Sequence, residues 1–241
     1  MQLDPLQYVS PRHFRRPLEQ YLSDCPCQSC LDSPGYFRTL VRLLSRVAQN
    51  AEKVSGELVK LIDEGYDIVA LTASCGLMLK FEWPLILPED KTVERLARAT
   101  FDISEYIVDI ARKEGLAAGL RSLPGGVTLH LACHARAQNM GAKAAEMLRL
   151  LPQPDVAVIE RCSGHGGSWG VLKENFDVAL KVGKPVARQA VKNAKAFVAS
   201  ECPLAATHIL QGMAAVDGES KPPAEAFHPI ELFARAYGLI G

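Results

Sequence analysis

Seven cysteines set the chemistry open to this 241-residue chain. Four of them come just after short apolar runs: Cys75 after DIVAL, Cys133 after VTLHLA, Cys162 after VAVIE and Cys202 after AFVAS. Apolar runs of this length, bounded by turn-forming and small residues, read as buried strands. In open α/β sheets ligands gather outside the carboxyl ends of the strands. Four thiols delivered to that edge can converge although they are far apart in sequence. Thiolate sulfur is a soft donor that selects zinc, copper(I) or iron–sulfur clusters. Three further thiols, Cys25, Cys27 and Cys30, are crowded into CPCQSC. Such crowding is rare in a core and common in metal binding, with redox-active or merely exposed thiols as the alternative; with Cys75 the group could complete a four-thiolate set. Its spacing matches neither a ferredoxin run nor a zinc ribbon.

Several neighbours of these cysteines have roles to play. Gly164, Gly166 and Gly167 follow Cys162, with Gly170 just beyond. They would let backbone approach an inorganic core closely and donate N–H groups to its sulfides. His134 adjoins Cys133 and His165 lies three residues after Cys162. Either is a candidate fourth ligand or a hydrogen-bond donor to a ligand. The remaining histidines have plainer readings: His130 as a satisfied core residue inside a strand, His208 as structural, and His228 before Pro229 as a helix cap. Trp169 reads as packing, with shielding of a metal centre as its other role.

The elements that must position these residues alternate between strand and helix. A helical pattern over 36–63, in one piece or two joined near Ser55-Gly56, ends at Gly65, a suitable C-cap. Helical spacing returns over 93–113, 137–150, 172–194 and 204–213, with a last short helix after His228-Pro229. Strand–helix alternation implies parallel βαβ units. The segment 59–79 echoes 186–209, each a helix, an apolar strand and one cysteine. The expectation is an α/β fold of two βαβ halves related by a pseudo-twofold, with parallel sheets and cysteines at the C-terminal ends of the strands. Its parts would be an irregular cysteine-containing segment over 1–35, a shortened first half over 36–120 and a second half over 121–241.

Composition narrows the class. Lys plus Arg and Asp plus Glu number 27 each, so the formal charge is zero. A neutral chain has no electrostatic footprint for nucleic acid. Residues 1–16 carry no apolar leader, and no run approaches the ~18–20 apolar residues of a membrane span. A cytoplasmic location is expected, where an odd set of seven cysteines points to metal or redox groups rather than disulfides. No Walker loop, GxGxxG fingerprint, GxSxG elbow or HExxH helix is present.

The pieces LACHARAQNMG, ERCSGHGGSWG, SECPLAATHI and HPIELFARAYG occur in this order. They resemble the cysteine-rich (CCG) domain of heterodisulfide reductase B subunits and anaerobic glycerol-3-phosphate dehydrogenase C subunits. DIVALTASCGLMLKFEWP resembles the end of the first repeat in those proteins, and the likeness covers about residues 57–240. The resemblance implies an iron–sulfur electron-transfer subunit of an oxidoreductase complex. Cys133, Cys162 and Cys202 would be ligands of the second repeat and Cys75 of the first. A [4Fe–4S] cluster is implied, one or two in number, with no flavin or nicotinamide on this chain. The implied partner is a flavin- or iron–sulfur-containing redox subunit, without membrane insertion but with peripheral association through that partner allowed. Where the family has a double cysteine this chain has Cys162-Ser163, and its CxxC is Cys202-Pro203-Leu204-Ala205. The first repeat lacks its opening cysteine. A ferredoxin-type module would sit on another chain. Two rivals remain: a heterodisulfide or thiol reductase acting at an open cluster iron, and a zinc-stabilised interaction module.

Overall fold

The computed structural model describes residues 34–217 and 222–240, with the backbone alone for 34–41 and 217. Cys25, Cys27 and Cys30 lie outside the described residues.

Helix α1 (Pro34–Asp63) is a single continuous helix through Ser55 and Gly56. It ends where Gly65 adopts φ +93°, a left-handed conformation that glycine takes without a Cβ penalty, and Tyr66 N–H closes back on Leu61 O at 3.0 Å. Strand β1 (Ile68–Ala70) follows, then α2 (Ala73–Leu77), a π-turn over Met78–Glu82, α3 (Trp83–Ile86) and α4 (Lys91–Arg98).

The continuous helix expected over 93–113 is broken. Strand β2 (Thr100–Asp102) separates α4 from α5 (Ile103–Lys113). Two side chains cause the break. Thr100 Oγ1 donates to Leu96 O at 2.8 Å and seals the end of α4. Asp102 then accepts from Ser104 N–H at 2.9 Å, while the Glu105 carboxylate accepts from Asp102 N–H, a capping box that starts a new helix. β1 and β2 pair in parallel, Ile68 opposite Thr100 and Ala70 opposite Asp102.

The second sheet has three parallel strands in the order β4-β3-β5. They are β3 (Val127–His130), β4 (Val156–Ile159) and β5 (Phe197–Ser200). The register is level: His130 stands opposite Ile159 on one side and Ser200 on the other. The helices are α6 (Cys133–Ala137), α7 (Lys143–Leu148), α8 (Phe176–Asn193), α9 (Pro203–Asp217) and α10 (Pro229–Ala236). They cover both faces, which is why these strands read as unbroken apolar runs. One face buries Val127 and Leu129 with Met147, Leu148, Leu232 and Phe233; the other buries Ile159 and Val198 with Val186, Ala190 and Ile209. Val108 of α5 belongs to the first of these cores, so the helix that follows β2 packs into the core of the second sheet.

The architecture is therefore α/β with parallel strands in two halves, as the strand–helix alternation implied. The expected equivalence is also visible as order: α1, β1 and Cys75 in one half, α8, β5 and Cys202 in the other. His228 caps α10 as expected, its Nδ1 accepting from Ile230 N–H at 3.3 Å.

Candidate metal centre

Each described cysteine lies just beyond a strand. Cys133 comes three residues after β3 and opens α6; Cys162 comes three after β4; Cys202 comes two after β5. The strands are in level register and adjacent parallel strands run ~4.8 Å apart, so the three chains leave the sheet side by side. Cys75 reaches the same rim from the other half. It sits on α2, and α2 packs on α6 through Ala73, Ala132 and Ala135, with Cys202 against this cluster. Gln138 fastens the seam, its Nε2 donating to Ala73 O at 3.1 Å. Gly76 makes room for that side chain: a Cβ there would stand 2.9 Å from Gln138 Nε2.

All four thiols are free. Cys75, Cys133 and Cys162 are exposed and Cys202 half-buried. Thr72 Oγ1 donates to Cys75 Sγ and Gly164 N–H donates to Cys162 Sγ, both at 3.4 Å. Among the described residues no three His, Cys, Asp or Glu side chains are gathered tightly enough to hold a single metal ion. The four described cysteines are carried one per segment, after β1, β3, β4 and β5.

The glycine loop divides into two parts. At Gly164, φ is +88° and a Cβ would lie 2.3 Å from Ala179 O, so this residue lets the loop press against α8. Gly170 is similarly tight, against His165 O, and its N–H donates to that carbonyl at 2.7 Å. Gly166 and Gly167 share the left-handed φ, at +55° and +64°, but not the crowding: a Cβ would meet the Trp169 ring no closer than 3.6 Å at the first and nothing within 4 Å at the second. Trp169 is 45% exposed, so it does not fill the core as a packing residue would.

The histidines differ in role. His134 is exposed on α6. His165 is buried between Ser163 Oγ, 2.8 Å from Nδ1, and Cys202 Sγ, 3.7 Å from Nε2. Burial holds its ring below the ordinary histidine range, helped by His208 and His134 nearby. His208 is buried edge-on against Phe176. His130 is a satisfied core residue, as expected, and it also ties the rim together. Its Nε2–H donates to Arg161 O at 2.8 Å, a carbonyl that can only accept, so Nδ1 accepts from Ser200 Oγ at 2.9 Å. Ser200 Oγ in turn accepts from Cys202 N–H at 3.3 Å.

Glu201 is the residue that sequence reasoning passed over. It is 2% exposed, and its Oε2 accepts from Ala132 N–H at 2.8 Å, joining the ends of β5 and β3. Burial pushes this carboxyl up to about 7 against that hydrogen bond, with the Asp102 charge adding to the rise. Its one sequence signal was a lone acidic residue between an apolar strand and a cysteine.

No family model matches the chain. Among curated proteins it is 25% identical over 174 residues to the C subunit of anaerobic glycerol-3-phosphate dehydrogenase from Escherichia coli K12, an alignment covering 72% of this chain and 41% of that protein. It is 28% identical over 156 residues to lactate utilization protein A of Geobacillus thermodenitrificans, covering 60% and 59%. The chain is a distant homologue of both. It thus spans roughly two fifths to three fifths of the relatives it matches. The likeness to cysteine-rich CCG-domain proteins drawn from the motifs is borne out, and low identity suits a degenerate member. Among the described residues no helix is long and apolar enough to cross a membrane.

Proposed function

We propose that this chain is an electron-transfer subunit of an oxidoreductase complex, holding a [4Fe–4S] cluster on Cys133, Cys162 and Cys202. Cys75 on α2 is the fourth donor that the packing favours. The observation that carries the reading is the level register of β4, β3 and β5, which brings three thiols off one sheet edge in parallel. The homologues support it, since one is a subunit of a dehydrogenase and another a lactate utilization protein. When bound, such a cluster supplies a one-electron carrier whose potential answers to hydrogen bonds on its sulfurs and to burial.

The chain's own residues do the rest. Gly164 N–H donates to the Cys162 sulfur, and the His130–Ser200 pair fixes the backbone on which Cys202 is mounted. Gly167 has open space where a Cβ would stand. The exposed thiols keep the centre near the surface, where an electron needs only a short gap to a flavin- or iron–sulfur-containing partner. The partner, its cofactor and a cytoplasmic location belong to this proposal, as does the division at about residue 120. Cys25, Cys27 and Cys30 are proposed as donors to a second centre.

A second reading, reduction of a thiol or disulfide at an open iron, gains from His165, whose Nε2 lies 3.7 Å from Cys202 Sγ. Anaerobic purification separates the alternatives. A brown protein with about four irons and four sulfides per site supports the cluster. Stoichiometric zinc without iron would establish the interaction-module rival. Cys162→Ser should strip most of the iron, and unchanged iron content would sink the ligand assignment. A spectral change on adding a thiol or disulfide substrate without any partner would favour the reductase.

A further inference from the structure

Ser163 stands where the related pattern carries the second cysteine of a pair. It is 1% exposed. Its hydroxyl meets His165 Nδ1 at 2.8 Å, and His165 Nε2 meets Cys202 Sγ at 3.7 Å. We propose that Ser163 and His165 form a relay that presents an Nε2–H donor to the Cys202 sulfur and so sets the potential of the centre that this thiolate holds. The proposal rests on the iron–sulfur reading above and goes beyond it: it removes His165 from the ligand candidates and makes it a positioning residue.

The proton placement follows from hydrogen-bond chemistry. A neutral imidazole has one N–H and one lone pair. A metal-bound thiolate offers only lone pairs, so the nitrogen facing it must carry the hydrogen. Nδ1 is then the acceptor, and a serine hydroxyl is a donor that can fill it. A cysteine thiol at 163 would be a weaker donor. Ser163 can therefore fill Nδ1 in the tautomer that serves Cys202.

The loop holds the pair in place from both ends. Gly164, lodged against Ala179 O and Gly183 N, fixes the turn between Ser163 and His165. Gly183 is as constrained from the other side, since a Cβ there would lie 2.2 Å from Ser163 O. Gly170 N–H holds the His165 carbonyl at 2.7 Å. The ring is thus anchored by main chain and by side chain before any metal binds. A donor on a cluster-bound sulfur withdraws charge and favours the reduced state, raising the potential.

The test compares wild type with Ser163→Ala, Ser163→Thr and His165→Phe in the anaerobically purified full chain. Iron content, the reduction potential by redox titration and the His165 ring nitrogens by NMR in iron-free protein are measured. Ser163→Ala and His165→Phe should retain iron and shift the potential negative, while Ser163→Thr, which keeps the hydroxyl, should return it towards wild type. The iron-free wild type should show the Nε2–H tautomer, and Ser163→Ala a mixture. Loss of iron in Ser163→Ala would make Ser163 a ligand and overturn the relay. So would unchanged potentials, or an Nδ1–H tautomer in the wild type. A wild type that binds no iron overturns the cluster reading and the potential claim with it; the tautomer measurement then decides separately whether the Ser163–His165 contact is built as argued.

Discussion

His130 touches three segments at once. It belongs to β3, donates to the carbonyl just before Cys162 and accepts from Ser200, which holds the amide of Cys202. A histidine inside an apolar strand is costly unless both nitrogens are satisfied, and here they are. Its burial depresses its proton affinity and keeps the neutral form that this geometry needs. Replacing His130 by Ala takes the acceptor from the buried Ser200 O–H and leaves a void. The expected cost is about 1–3 kcal/mol for the unpaired group, with more from lost packing. His134→Ala, on the exposed face of α6, should change stability by less than about 0.5 kcal/mol. Urea unfolding of the two variants side by side checks this; equal midpoints would show that His130 is no strut.

At the scale of elements, the junction between β2 and α5 shows how one residue can decide a boundary. Asp102 ends the strand, caps the helix and is 1% exposed. Burial raises its carboxyl above the ordinary aspartate range despite the bond from Ser104 N–H and the nearby Lys80. The sign of the pH effect follows. The folded state holds this proton more tightly than the unfolded chain, so the stability it contributes is full below the unfolded value, near 3.8, and is lost as pH rises through the folded one. Asp102→Asn keeps an efficient cap without the ionisation, so its stability should fall less between about pH 4 and neutrality. Asp102→Ala should lose about 1 kcal/mol of capping at every pH. Thermal melts across that range would contradict the account if the Asn variant kept the wild-type pH slope.

The whole molecule explains what could be read from sequence and what could not. β3, β4 and β5 were legible because both faces are buried, and short apolar runs survive in sequence as contrast. The cysteine rim was legible for the same reason, since strand ends announce a sheet edge. β2 was not: three residues are too few to interrupt helical spacing, and only the D-x-x-E box at Asp102 marked the new start. Glu201 and Ser163 were not either, because their importance lies in what lies across the seam or the loop, at Ala132 and His165, and no local pattern carries that. Gly164 was seen but its neighbour was not, since its close approach is to α8.

The shared core gives the boundary between the halves a physical test. α5 precedes the second sheet in sequence, yet its Val108 is 4% exposed among Leu129, Leu148 and Phe233, with Ile107 packed alongside. Arg112 adds an exposed ion pair to Glu146 on α7 at 2.7 Å, which contributes little by itself. A fragment cut at 121 leaves that apolar surface open to water, whereas one cut at 100 keeps α5 on it. Removing a buried valine side chain alone forfeits about 1.5–3 kcal/mol of burial, and an entire helix face forfeits more. The 100–241 fragment should therefore melt higher than 121–241 and show slower amide exchange in β3. Equal melting temperatures would mean that α5 belongs energetically to the first half, and that the second sheet closes its core without help from across the seam.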